Sequence, residues 1–167
     1  MSRTWKLERF YHTVINARDL QKSVDFYVML GFEVLHDRRN LTWAPQVAAM
    51  FGLKKADGGG VLLTVPGDGP TPTMRDIIQW KVPQADFPDP AKVETTVPRI
   101  LALKVTDAKA AYEELSAKGY KFSPGGLYAP GGESMFVHTA HMYDPDGNMV
   151  ELIQLKPGAR HSQDFQK

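Results

Sequence analysis

An internal repeat constrains the fold of this chain more than any other feature of its sequence. Residues 12–34 align without a gap to residues 100–122, at an offset of 88 positions. Further along, residues 76–79 (DIIQ) align to residues 151–154 (ELIQ) at an offset of 75 positions. A repeated segment of this size is one supersecondary unit that occurs twice, so both halves of the chain should share one fold.

The aligned segments are predicted to form a strand, a helix and a second strand. Residues 11–17 and 100–105 are short, apolar and rich in β-branched side chains, as strands are. Apolar residues then recur at helical spacing in both copies. The acidic residues that cap the start of each helix, and the glycines that end it, occur at matching positions: Asp19 and Asp107, Gly31 and Gly119.

Two more strands are predicted to complete each unit. In the second copy they are residues 135–143 and 149–155, joined by the turn-forming run DPDGN. In the first copy they are residues 60–65 and 76–81. The change of offset from 88 to 75 leaves 13 additional residues in the first copy (88 − 75), and residues 43–53 have the apolar spacing of a short extra helix.

Glycine runs occur at residues 58–60 and at residues 131–132. A phosphate-binding loop needs a strand before the glycines and a helix after them, and neither run has that context. Both runs are therefore predicted to be turns.

The composition excludes several classes of protein. The formal net charge is +1 and no basic run exceeds the Arg38–Arg39 pair, so neither nucleic acid nor a membrane surface is a predicted partner. The chain has no cysteine, so any metal must be held by His, Asp, Glu or Gln. No apolar stretch approaches the roughly 18 residues that span a bilayer, and residues 1–9 lack the apolar core of a secretion signal. We expect a soluble, cytoplasmic protein.

Two tandem βαβββ units, a helix ending in Leu30-Gly31-Phe32, and a DPDGN turn followed by Met149-Val-Glu151-Leu together resemble the vicinal-oxygen-chelate superfamily. This superfamily includes glyoxalase I, methylmalonyl-CoA epimerase, fosfomycin-resistance transferases, extradiol dioxygenases and metal-free bleomycin-binding proteins. The resemblance covers about residues 8–156. A fold with so many chemistries leaves the reaction open.

The resemblance implies an α+β fold in which two βαβββ modules form a curved mixed β-sheet cup with flanking helices. It also implies a small-molecule substrate and a homodimer. The chain would then be a single domain (1–167) made of module one (8–83), a linker (84–98), module two (99–156) and a polar tail (157–167).

In the metal-binding members of this superfamily, each module gives one ligand from its first strand and one from its last strand. The matching first-strand positions are His12 and Ile100, and the matching last-strand positions are Asp76 and Glu151. Ile100 has no donor atom. The resemblance therefore predicts a site for Mn, Fe, Co, Ni or Zn made by His12, Asp76 and Glu151. The alternative is that both carboxylates point to solvent from half-buried sheets.

The DPDGN hairpin makes a prediction about His141. If the two strands pair symmetrically, Tyr143 faces Met149 and His141 faces Glu151, and directly opposed residues share a face of the sheet. His141 would then replace the missing ligand or act as general acid and base. A register slip of one residue would put it on the other face. Thr139 has the same parity and could donate a hydrogen bond to a ligand.

Other candidate contacts to a substrate have equally simple structural explanations. Trp43, Met50 and Phe51 could form the wall of an apolar pocket or could pack in the core. Arg99 could bind a substrate carboxylate or could only cap the linker. Gln79 and Gln154 each follow a carboxylate by three residues, so they are expected on the opposite, outward face of each sheet.

Three functions are compatible with these features. The first is a metal-dependent glyoxalase- or epimerase-like isomerase or lyase that acts on a carbonyl or α-hydroxy-carbonyl compound through a stabilised enolate, with Glu151 or His141 moving the proton. The second is an Fe(II) extradiol-type dioxygenase that uses His12, His141 and Glu151. The third is a non-catalytic, drug-binding protein of the bleomycin-resistance type, in which Ile100 marks a lost metal site.

Overall fold

A computed structural model describes residues 10–40, 43–69, 72–85, 87, 99–132 and 134–159. The chain divides into two compact units, Met1–Phe87 and Pro88–Lys167, called here the first and the second unit. Most of the predicted linker (84–98) and most of the predicted tail (157–167) lie outside the described residues. Within the described residues, no helix is long and apolar enough to cross a membrane.

The first unit contains one four-stranded mixed sheet with the strand order β1-β4-β3-β2. Strands β1 and β4 are parallel, and the other neighbouring pairs are antiparallel. The predicted extra helix is present as α2. The elements, in chain order, are β1 (His12–Asn16), α1 (Leu20–Met29), β2 (Glu33–Asp37), α2 (Pro45–Met50), β3 (Asp57–Thr64) and β4 (Met74–Val82).

The second unit repeats this plan with the strand order β5-β8-β7-β6, in which β5 and β8 are parallel. The predicted α+β fold of two βαβββ modules is confirmed. The elements are β5 (Ile100–Lys104), α3 (Ala108–Ala117), β6 (Phe122–Tyr128), β7 (Phe136–Tyr143) and β8 (Met149–Leu155). The strand predicted at residues 120–122 begins later and extends further than expected, as β6.

The predicted helix caps are present in both units. The carboxylate of Asp19 accepts a hydrogen bond from the backbone N–H of Lys22 at 3.2 Å. The carboxylate of Asp107 accepts one from Ala110 at 3.0 Å. Each bond satisfies a backbone donor that the first turn of a helix leaves without a partner. The glycines after both helices have positive φ, 101° at Gly31 and 87° at Gly119.

In each unit, one glutamine fastens the helix to the last strand of the sheet. The side-chain amide of Gln79 donates to the carbonyl of Arg18 at 2.6 Å, and its oxygen accepts from the backbone N–H of Leu20 at 3.4 Å. The oxygen of Gln154 accepts from the backbone N–H of Ala108 at 3.3 Å. Both glutamines therefore lie on the helix-covered face of their sheets, opposite the carboxylates, as their spacing predicted.

The helix-covered face of each sheet forms the core. The buried side chains on these faces are Ile15, Val61, Leu63 and Ile77 in the first unit and Ala140, Met142, Val150 and Leu152 in the second. Burying a large aliphatic side chain stabilises the folded state by about 1.5–3 kcal/mol. The alternate residues of the same strands form the opposite face, called here the open face, and all predicted metal ligands belong to it.

The prediction of a turn at residues 58–60 is wrong, because all three glycines lie within β3. A Cβ atom added to Gly59 would lie 2.6 Å from the carbonyl oxygen of Arg39, and one added to Gly58 would lie 3.0 Å from the ring of Trp43. Contacts below 3.0 Å do not occur for real Cβ atoms. The glycines therefore let the backbone at Arg39 and the Trp43 ring lie directly against the strand.

Candidate functional site

The side chains of His141 and Glu151 are in contact on the open face of the second sheet. The two residues are directly opposed in the β7–β8 register, as predicted from the hairpin. The distance between Nε2 of His141 and Oε1 of Glu151 is 3.2 Å, and the side chains are 29% and 23% exposed. A ligand on this face can therefore reach both groups while much of the surrounding water is excluded.

The contact between His141 and Glu151 is close enough for the carboxylate to influence the imidazole ring. A carboxylate that accepts a hydrogen bond from one imidazole nitrogen orients the ring and leaves the other nitrogen free to take a proton. The same carboxylate stabilises the imidazolium ion that forms. Nε2 is the ring nitrogen in contact with the carboxylate.

Asp76 lies at the matching place on the open face of the first sheet, opposite Val14 on β1 and Leu62 on β3. Its carboxylate is buried and accepts a hydrogen bond from the guanidinium of Arg38 at 2.5 Å. The backbone N–H of Arg38 donates to the carbonyl of Gly60 at 2.8 Å, which holds the end of β2 beside β3. The sequence analysis did not foresee this partner for Asp76.

The first-strand positions are equivalent in the two units. His12 is exposed and opposes Met74, two residues before Asp76 on the neighbouring strand. Ile100 is 53% exposed and opposes Met149, two residues before Glu151. The family positions for a metal are thus present in both sheets, and only the chemistry of the side chains differs.

The donors present do not fit a metal ion. Ile100 offers no donor atom, one oxygen of Asp76 is in contact with a guanidinium, and one oxygen of Glu151 is in contact with His141. In the part of the chain that the structure describes, no three His, Asp or Glu side chains form a group that could hold a metal ion.

Two of the three predicted apolar contacts, Trp43 and Phe51, pack around Trp80 of β4. The ring centroids lie 4.8 Å from Trp80 for Trp43 and 5.5 Å for Phe51, both edge to face. Met50, at the end of α2, is instead 79% exposed. The sequence analysis missed Trp80, although its parity with Asp76 on β4 puts both residues on the open face.

The Trp43 ring also forms one wall of a cleft of about 460 Å³ in the first unit. Its other lining residues carry three positive charges and one negative charge. They are Arg39, Asn40, Lys55, Ala56, Asp57 and Lys81.

Thr139 and Arg99 have different surroundings in the second unit. Thr139 is buried on the open face, opposite Ile153 and two residues from His141. The side chain of Arg99 is exposed, and its backbone carbonyl accepts a hydrogen bond from Met149 at 2.9 Å, at the start of the β5–β8 pairing. Thr139 therefore shares a surface with the acid–base pair, whereas the described contact of Arg99 is a backbone one.

The chain belongs to the Glyoxalase/Bleomycin resistance protein/Dioxygenase superfamily, whose family model matches residues 9–152. It is 28% identical over 157 residues to the lactoylglutathione lyase of Escherichia coli O157:H7, covering 91% of this chain and 96% of that one. A glyoxalase family protein from Bacillus cereus has the same fold, with a TM-score of 0.72 at 13% identity, over 93% of this chain and 99% of that one.

An antibiotic binding protein, TnmS3 from Streptomyces sp. CB03234, also shares the fold. Its TM-score is 0.57 at 19% identity, over 91% of this chain and 99% of that one. Similarity at this level of identity concerns the fold alone, and members of one fold perform different functions. The names of the sequence relatives agree with an enzyme of lyase type.

Proposed function

We propose that this chain is a lyase or isomerase that moves a proton on a small carbonyl or α-hydroxy-carbonyl compound, with His141 and Glu151 as the catalytic residues. The observation that supports this proposal is the 3.2 Å contact between the two side chains on a half-buried, ligand-accessible face. Two ionisable groups in such contact at an accessible surface are what general acid–base catalysis needs.

The proposed step is a proton transfer from carbon. Nδ1 of His141 takes the proton from the carbon next to the carbonyl group, and Glu151 stabilises the resulting imidazolium ion. The electron pair left on carbon moves to the carbonyl oxygen and forms an enolate. The hydroxyl of Thr139, on the same face, donates a hydrogen bond to that oxygen. In an α-hydroxy-carbonyl compound the hydroxyl proton passes to the enolate oxygen, so that the hydroxyl carbon becomes the new carbonyl carbon. His141 then returns its proton to the former carbonyl carbon, which completes the isomerisation.

Metal dependence was predicted from the sequence and stays a prediction. The proposed proton transfer uses only His141, Glu151 and Thr139. The homodimer and the cytoplasmic location likewise stay predictions.

The proposal is tested by exchange of the substrate's carbon-bound hydrogen with deuterated water, followed by NMR. Lactoylglutathione, the compound in the names of the relatives, is the first compound to assay, together with simple α-hydroxy ketones. We expect His141→Gln to slow exchange by about 10²–10⁴-fold, the usual contribution of a general acid or base. An unchanged rate in this variant would remove His141 from the chemistry.

The same strand offers a matched control. His138 lies on β7 opposite Gln154, on the helix-covered face, and its Nδ1 is 3.4 Å from the Gln154 oxygen. His138→Gln changes the same side chain on the other side of the sheet. We expect it to leave the exchange rate unchanged, so that an equal loss in both variants would indicate a general structural effect rather than catalysis.

A binding protein without catalysis is the second candidate. Ile100 stands at a family ligand position, and Arg38 is bound to the carboxylate at another, which favours this alternative. Tight binding of a small molecule, together with no exchange in any compound tested, would support it. The predicted dioxygenase, which would use His12, His141 and Glu151, stays a prediction.

A further inference from the structure

We propose that the guanidinium of Arg38 takes the place of a metal ion as the counter-charge of Asp76, and binds a carboxylate of the ligand on the open face of the first sheet. The Arg38–Asp76 pair lies in the first unit, whereas the proposed proton-transferring pair lies in the second. Either proposal can therefore fail while the other holds.

Asp76 needs a permanent counter-charge. Its side chain is 9% exposed, and a carboxylate removed from water in this way is costly unless it is paired and hydrogen-bonded. Arg38 meets this requirement with a charge-assisted hydrogen bond from its guanidinium to the carboxylate. The backbone bond from Arg38 to Gly60 fixes the arginine at the end of β2, so this pairing is part of the folded sheet.

A metal ion and this guanidinium compete for the same carboxylate. Two cations within about 4 Å of one another repel by several kcal/mol in a partly buried setting. His12, which lies diagonally across from Asp76 on the neighbouring strand, is the other donor that the family resemblance assigns to this sheet. As long as Arg38 occupies the oxygen of Asp76, His12 is left without its carboxylate partner for a metal.

The ligand class follows from the donors that Arg38 still has. A guanidinium carries five N–H groups in a planar fork, which matches the two oxygens of a carboxylate. One terminal nitrogen bonds Asp76, Nε is buried without a hydrogen-bond partner among the described residues, and about a third of the side chain (35%) is exposed. The terminal N–H groups on the exposed part of the guanidinium are therefore available to a ligand, and the carboxylate of a small acid would accept hydrogen bonds from them.

The metal part of the proposal is tested by titrating Zn²⁺ and Co²⁺ into the full chain by calorimetry. Arg38→Gln keeps a hydrogen-bond donor for Asp76 and removes the charge. We expect this variant to bind either metal about tenfold more tightly or better than the wild type, because the repulsion at the Asp76 oxygen is lost. Arg39→Gln removes the neighbouring charge, which pairs with Asp37 instead, and should leave metal affinity unchanged.

A different pattern would overturn the replacement of the metal. Near-stoichiometric metal in the wild type that is lost in Asp76→Asn and unaffected by Arg38→Gln would make Asp76 a ligand. Circular dichroism shows whether Arg38→Gln folds. If it does not fold, the double variant Arg38→Gln/Asp76→Asn replaces it: metal affinity equal to that of the wild type supports the proposal, and a loss of affinity contradicts it.

The ligand part uses lactate as the probe and lactamide, which lacks the charge, as the comparison. We expect lactate to bind the wild type and to lose about tenfold in affinity in Arg38→Gln, whereas Arg39→Gln should be unaffected. Lactate binding that is equal in wild type and Arg38→Gln would show that Arg38 does not bind the carboxylate. These measurements report binding alone, so an inactive acid–base pair in the second unit does not change them.

Discussion

Asp76 in the first unit and Glu151 in the second occupy the same place on the last strand of their sheets, yet they have different partners. Asp76 is buried and is bound by Arg38, which follows the edge strand β2. Glu151 is partly exposed and is in contact with His141, on the adjacent strand β7. One carboxylate thus has a permanent positive partner, and the other has a partner that can gain and lose a proton.

The scaffold around these carboxylates has diverged much less. Both helices start at an aspartate cap and end before a glycine with positive φ. Both last strands carry a glutamine that bonds the start of the helix. The comparison teaches that the two copies share the residues that build the unit, while the residues on the open face differ: an Arg38–Asp76 ion pair in one copy and a His141–Glu151 contact in the other.

The largest effect on stability should come from the buried carboxylate. We expect Asp76→Asn to lower the free energy of unfolding by about 1–3 kcal/mol, because it leaves the partly buried guanidinium of Arg38 without a counter-charge. Glu151→Gln should cost less than about 1 kcal/mol, since water can still solvate its partner. Urea denaturation of both variants measures the difference. An equal loss of unfolding free energy in the two variants would contradict the expectation that the buried Arg38–Asp76 pair stabilises the fold more than the partly exposed His141–Glu151 pair.

A smaller difference is expected between the two glutamines. Gln79 makes two hydrogen bonds to the start of α1, and Gln154 makes one to the start of α3. The oxygen of Gln154 also lies 3.4 Å from Nδ1 of His138, so the clearest difference is the 2.6 Å bond from Gln79 to Arg18. At about 0.5–1.5 kcal/mol for a hydrogen bond, Gln79→Ala should destabilise by up to that amount more than Gln154→Ala. Denaturant unfolding is again the measurement, with Gln46→Ala on the exposed surface of α2 as a control expected within about 0.5 kcal/mol of the wild type. A larger loss in Gln154→Ala would contradict the assignment.

Features carried by neighbouring residues could be predicted from the sequence. The caps at Asp19 and Asp107 and the β7–β8 register that opposes His141 to Glu151 follow from local spacing, because a helix start and a tight hairpin involve only a few residues. The repeat then transferred each assignment from one copy to the other.

Features that depend on contacts between distant segments could not be predicted. Arg38 and Asp76 are 38 residues apart, and their contact depends on how the end of β2 lies beside the sheet. The glycines of β3 were predicted to form a turn. They are needed in the strand because Arg39 and Trp43 approach it closely, and these two residues follow a different strand. The sheet positions that match the family's metal ligands could be predicted from the sequence, whereas the contact of Arg38 with the carboxylate at one of them could not.

The smallest effect compares the two helix caps. The pKa of Asp19 is lowered below its usual value of 3.8, mainly by the hydrogen bond from the backbone N–H of Lys22. The Lys22 ammonium, 3.5 Å from the carboxylate, contributes further. The matching hydrogen bond at Asp107 comes from Ala110, which has no charge to offer. The first cap therefore combines a hydrogen bond with an ion pair, and the second has the hydrogen bond from its N3 residue without that ion pair.

A group whose pKa is lower in the folded state stabilises the fold above its unfolded pKa, and this contribution is lost as the pH falls through the folded pKa. For Asp19 the loss should therefore occur below 3.8. Asp19→Asn keeps a cap that does not titrate, so we expect the stability difference between wild type and variant to shrink only at those acid pH values. Urea unfolding from about pH 7 to about pH 3 measures it. Lys22→Met should make the acid-dependent part of the stability difference smaller, because one cause of the lowered pKa of Asp19 is removed. A stability difference between wild type and Asp19→Asn that stays constant down to pH values below 3.8 would contradict a titrating cap.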